Sequence, residues 1–132
     1  MDLIYINREI VNMADKAGLT PVDDSEFIQA NVLWIEQLQK MKKNGNKYND
    51  DKNSFYAVLN IYELNANKVK LYETATKFSE LMLNEFFKEE NYGYKVKVEK
   101  RREELKKIAA DTGKLYQYSF DFVITTYKIK GV

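Results

Sequence analysis

From Leu3 the apolar residues fall at Leu3, Ile6, Ile10, Met13 or Ala14, and Ala17, three and four positions apart. That spacing gathers them on one face of a helix, and Gly18 is a natural stop. Pro21, the only proline, disfavours the α region at Thr20, so an extended corner follows. Asp23 and Glu26 have capping-box spacing, with Ser25 as an alternative cap. A stripe of Phe27 or Ile28, Asn31 or Val32, Trp34 or Ile35, Leu38 and Met41 then predicts a second helix ending at Asn44-Gly45. Residues 1–43 thus read as a helix pair with Trp34 as a core anchor, and residues 44–53, almost wholly polar, as an exposed loop.

Phe55 to Leu64 is apolar on both faces of a strand and also fits a helical stripe; Asn60, Asn65 and Asn67 favour the strand, because asparagine prefers turns to helix interiors. The alternative is one continuous helix from Ser54 to about Glu89. In both readings Lys68 to Glu89 is a long amphipathic helix, with Leu71 or Tyr72, Ala75, Phe78 and Leu81 or Met82 in register. Tyr94 to Glu99 alternates apolar and charged residues, the pattern of a half-buried antiparallel strand. Lys100 to Ala110 fits a short helix or a strand entering a hairpin, and Asp111-Thr112-Gly113 has turn chemistry. In the last strand Tyr116, Tyr118, Phe120, Phe122 and Ile124 share one face, whereas Val123, Tyr127 and Ile129 lie on the other. The apparent change of face predicts a bulge or a move between packing environments. The expected class is α+β: an amino-terminal helix pair, the long helix, and a small antiparallel sheet closed by the aromatic strand.

The chain has 132 residues, 45% of them apolar, enough for one domain (1–132) with residues 54–132 carrying the helix and strands. The net charge of +1 supplies no general attraction to nucleic acid or an anionic membrane. Cysteine and histidine are both absent, which removes thiolate chemistry, the usual general base near neutral pH and the commonest metal ligand. No catalytic, cofactor-binding or metal-ligating set emerges, so the expectation is a protein that is not an enzyme and needs no cofactor. Asp2 stands where a signal peptide needs basic charge, and no apolar run is long enough to span a membrane; no membrane partner is expected.

Ile108-Ala109-Ala110-Asp111-Thr112-Gly113 matches the apolar-Asp-Thr-Gly signature of aspartic proteases, but too little chain follows for the flap and supporting strands, and a hairpin turn is the simpler reading. Asn49, Asp51 and Asn53 alternate like calcium-loop ligands, yet Ser54 and Asn60 stand where that loop needs glycine and glutamate. Lys95, Lys97, Lys100, Arg101, Arg102, Lys106 and Lys107 form a basic cluster with phosphate-contact chemistry, interrupted by Glu99, Glu103 and Glu104. Ten tyrosines and seven phenylalanines are more than a core of this size calls for, which favours an interface.

From Ser54 onward, the order of strand or early helix, amphipathic helix from Lys68, strand at Tyr94, and a turn DTGKLYQYSFDFVITTYKIK into the final strand resembles the small head-to-tail connector and tail-completion proteins of tailed bacteriophages. The resemblance implies a noncatalytic virion subunit, made in the host cytoplasm, that assembles as a homo-oligomeric ring beside portal or tail subunits. Tyr116, Tyr118, Val123, Tyr127 and Ile129 on the terminal strand, with Tyr48 and Asp50 on the polar loop, are the interface candidates. A nucleic-acid-binding accessory protein using the cluster at 95–107 is the alternative.

Overall fold

The computed structural model describes residues 1–22, 32–41, 52–64, 68–110 and 113–129. Helix α1 (Leu3–Lys16) is followed by strands β1 (Thr20–Val22), β2 (Val32–Lys40) and β3 (Lys52–Leu64), helix α2 (Lys68–Asn84), and strands β4 (Tyr94–Ala110) and β5 (Gly113–Lys128). The strands form one sheet in the order β1-β2-β3-β5-β4. β1 runs parallel to β2 and the other pairs are antiparallel. β3, α2 and β4 make a β-α-β unit whose two strands are separated by β5.

The α+β class holds, but the layout differs from the expected helix pair. Residues 32–40 are strand, not helix, and a β-bulge explains why the sequence misleads. β2 and β3 shift register between Ile35 and Gln37, leaving Glu36 as an extra residue. Leu33, Ile35 and Leu38 therefore reach the same face at spacings of two and three. A strand interrupted this way imitates a helical stripe.

The first helix is as expected. The Gly18 amide donates to the Asp15 carbonyl and the Leu19 amide to the Ala14 carbonyl, at 3.0 and 2.8 Å, the paired bonds of a Schellman motif. Gly18 takes φ 78°, and buried Leu19 supplies the apolar contact that accompanies such an ending. α2 starts at Lys68 as expected but spans 17 residues and stops at Asn84, short of Glu89, so the long-helix layout is not matched. The chain turns there to bury Phe86 and Phe87, whose rings meet edge to face at 4.9 Å. Phe87 adopts φ 59°, and its amide donates to Glu9 Oε2 on α1 at 2.6 Å. A carboxylate acceptor helps offset that left-handed backbone.

β3 is strand throughout, as favoured, and starts at Lys52, so Lys52 and Asn53 leave the expected loop and Asn53 is buried. The rest of that loop, including Tyr48, Asp50 and the calcium-like Asn49 and Asp51, lies outside the described residues. β4 continues well past Glu99 to Ala110. A second bulge, with Arg101 as the extra residue, interrupts the alternation between Lys100 and Arg102. Ala110 pairs with Gly113 across the expected turn, whose Asp111 and Thr112 lie outside the described residues.

Both helices cover the same side of the sheet. Ile6, Ile10, Met13 and Ala14 of α1 and Leu71, Ala75, Phe78 and Met82 of α2 pack with Leu33, Phe55, Ala57, Leu59, Ile61, Phe120, Phe122 and Ile124. Phe78 lies 6.1 Å from Phe120, which continues to Phe122 at 5.4 Å. Each fully buried phenylalanine contributes about 1.5–3 kcal/mol relative to exposure.

Candidate functional site

β5 is hydrogen-bonded on both sides, to β3 and to β4. It offers no free edge to which a further strand could add. Nor does β5 change face: its pairing with β3 is unbroken from Leu115 to Tyr127. Tyr116, Tyr118, Phe120, Phe122, Ile124 and Thr126 point toward the helices, and Gln117, Ser119, Asp121, Val123, Thr125 and Tyr127 toward the other side. The seeming switch arose because both faces carry apolar residues near Val123. Of the terminal-strand candidates, Tyr116 is buried and Tyr118 is half-buried, its ring edge-on to Tyr72 of α2 at 5.8 Å. Val123 and Tyr127 lie on the side that neither described helix covers, and Ile129 is exposed just beyond β5.

That side, uncovered by the described helices, extends across all five strands, and Val58, Asn60 and Ser119 are buried on it. Val32 and Tyr62 are buried there, with Val22 and Trp34 packed against them; the Trp34 and Tyr62 rings are 6.3 Å apart. At its centre stands Asp121, the only acid in the terminal strand. Arg102 reaches it with two nitrogens: Nε donates to Oδ2 and Nη2 to Oδ1, both at 3.0 Å. The Tyr56 hydroxyl donates to Oδ2 at 2.9 Å. Arg102 Nη2 also donates to Ser119 Oγ at 3.0 Å, and Nη1 to Glu104 Oε2 at 2.7 Å. The guanidinium fork fits the carboxylate in the way that a lysine cannot.

Hydrogen bonding from Arg102 holds the Asp121 carboxyl below its usual range, against the opposing effect of burial and with help from Tyr56. The same bond raises the Arg102 pKa, and the bond to Asp121 raises that of Tyr56. Burial, aided by the charge of Glu36, pushes the Tyr62 hydroxyl up to about 12. On the helix side, burial and a hydrogen bond to Glu103 push Tyr118 to about 12 as well. Neither tyrosine ionises near neutral pH, and the Arg102 network is locked rather than poised for proton transfer.

The basic cluster falls on β4, split between the two sides. Lys95, Lys97, Arg102 and Lys106 join the uncovered face, whereas Lys100 turns toward α2 and donates to Ser79 Oγ at 3.3 Å; Lys107 pairs with Tyr116 in the ladder. Acids answer four of the cations: Lys100–Glu103 and Arg101–Glu99 at 3.3 Å, Arg102–Asp121 at 3.0 Å and Lys106–Glu104 at 3.7 Å. The ladder thus brings one cation of the cluster, Lys95, opposite Tyr127, whereas the acid Glu99 stands opposite Val123. Sequence reasoning missed Trp34, Tyr56, Tyr62 and Asp121 as members of one face. A lone aspartate in an aromatic strand was the available signal for Asp121, since such a charge needs a partner on a neighbouring strand.

Among the described residues no group of histidine, cysteine, aspartate and glutamate is arranged to hold a metal ion, and no helix is long and apolar enough to cross a membrane. No protein-family profile matches the chain, and no curated protein sequence is similar to it.

Proposed function

We propose that this chain is a noncatalytic structural subunit of a phage virion that assembles as a homo-oligomeric ring at the head-to-tail junction, against portal or tail subunits. The observation that carries the reading is the uncovered sheet face, where Trp34, Tyr56, Val123 and Tyr127 are half-buried around a locked polar centre. Tyrosine and tryptophan beside satisfied polar groups are the composition of protein–protein interfaces. The near-zero net charge permits like subunits to pack closely, and the lack of histidine and cysteine suits a structural role. The resemblance of layout from Ser54 onward supplies the virion context.

The alternative, a nucleic-acid-binding protein using residues 95–107, draws less support, because four of the seven cations face acids within the chain. It predicts binding that weakens steeply with salt and with loss of Arg101 and Arg102.

Light scattering of the purified protein across concentration, followed by negative-stain imaging, tests the assembly. A discrete ring-sized species is expected. A strict monomer that also fails to associate with a portal would contradict the reading.

A further inference from the structure

The two halves of β4's outer edge differ in protection. β4 is the last strand of the sheet, so one side of it has no neighbour among the described residues. In its second half the Arg101 bulge breaks the line of the backbone, and Arg101, Arg102 and Lys106 are held by Glu99, Asp121 and Glu104. Bulges and paired charges are devices that keep strand edges from joining other chains. The other edge of the sheet, β1, is three residues long and contains Pro21. The first half of β4, from Tyr94 to Glu99, lies before the bulge and pairs with β5 without interruption.

The hydrogen-bond phase there is fixed by one contact. The Ile129 amide donates to the Gly93 carbonyl at 2.9 Å. In an antiparallel ladder, bonded and non-bonded pairs alternate, so Lys95 and Lys97 aim their peptide groups at β5, while Tyr94, Val96 and Val98 aim theirs outward. The Tyr94 amide agrees, since it donates to the Asn91 carbonyl at 2.9 Å rather than to β5. The outward peptide groups of Val96 and Val98 have no such partner among the described residues.

A groove of about 640 Å³ runs along this stretch, lined by Leu83, Lys95, Val96, Lys97, Val98 and Tyr127. Leu83 of α2 is 41% exposed above Val96 and Val98. Lys95 and Lys97 project from the opposite side, both exposed, and neither has an ion pair with a described residue.

We infer that the Tyr94–Glu99 edge is a docking site for an extended strand of another protein, whose side chains alternate between acidic and apolar. The occupant must be extended, because only a strand satisfies the outward peptide groups of Val96 and Val98 in register. Acidic residues two apart match Lys95 and Lys97, and apolar residues between them meet Val96, Val98 and Leu83. The site goes beyond the ring interface: it shares Tyr127 and the side of Lys95 and Lys97 with that sheet face, but it alone uses the outward peptide groups of Val96 and Val98, whose exchange reports on it separately.

The test uses the full chain and a capped peptide of alternating glutamate and valine, about eight residues long, with a lysine–valine peptide as control. The acidic peptide is expected to bind, to slow amide exchange at Val96 and Val98, and to weaken with salt. Lys95→Glu/Lys97→Glu, two exposed changes that leave the core untouched, is expected to lose at least ~10-fold in affinity for it and to gain binding of the basic peptide. Equal binding of both peptides, or unchanged exchange at Val96 and Val98, would overturn the inference. If the double variant instead dissociates an oligomer of the pure protein in which the Val96 and Val98 amides are already protected, a second copy occupies the edge and the foreign-strand assignment is wrong. Loss of peptide binding with the wild-type assembly intact separates this site from the ring interface.

Discussion

The two sides of β5 show how one strand divides its work. Toward the helices it presents Tyr116, Tyr118, Phe120, Phe122 and Ile124, an apolar row that α2 covers. Away from them the same residues' neighbours are Gln117, Ser119, Asp121, Val123 and Thr125, with Tyr127 at the end. The first row gains stability from area removed from water and is indifferent to direction. The second depends on geometry: a bidentate Arg102–Asp121 pair, a Tyr56 hydroxyl on the same carboxylate, and aromatic rings left half-buried. The strand thus packs the core with one face and carries its directed polar contacts on the other.

The sharpest way to separate the faces is to cut into the covered one. Phe120→Ala removes a fully buried ring between Phe78 and Phe122 and is expected to cost about 3–5 kcal/mol in chemical denaturation. A loss below about 1 kcal/mol, the size of a surface effect, would show that the core is not where the packing puts it.

Asp121→Asn probes the uncovered face. It keeps the shape, removes the charge that Arg102 and Tyr56 address, and is expected to cost about 1.5–3 kcal/mol near neutral pH. Because folding lowers the Asp121 pKa, its contribution is complete above the unfolded value of about 3.9 and is lost as pH falls through the folded value. The stability gap between wild type and Asp121→Asn should therefore close on acidification. A gap that stays constant into acid would mean that the charge is not what the network holds.

Val123→Lys is the smallest change in stability and the largest in association. Val123 is half-buried on the uncovered face, so denaturation should shift by only about 0.5 kcal/mol. Self-association should weaken markedly. Equal assembly of Val123→Lys and wild type would remove this face from the ring interface.

Much of this arrangement was legible in the chain, and where it was not, the cause is specific. The stop at Gly18, the start of α2 at Lys68, and the strand from Tyr94 follow from local chemistry and stood out. The two bulges hid the rest. Glu36 turned the alternation of β2 into helical spacing, and Arg101 broke β4 where its pairing in fact continues to Ala110. The end of α2 depends on Glu9, distant in sequence, which accepts the Phe87 amide. Likewise sequence order hides that β5, last in the chain, inserts between β3 and β4. Val123, Tyr127 and the basic cluster were visible singly; that the ladder puts Lys95 beside Tyr127, and Arg102 on Asp121, is a matter of register.

Trp34 offers the most direct test of the uncovered face as the assembling surface. It is the only tryptophan, it lies half-buried on that face against Tyr62, and no other indole confuses its signal. Acrylamide quenching of its fluorescence should be followed alongside particle mass as concentration rises. Quenching that falls in step with growing mass is the result expected if this face closes the ring. Growth in mass with unchanged quenching would contradict it, because the subunits would then be meeting somewhere else.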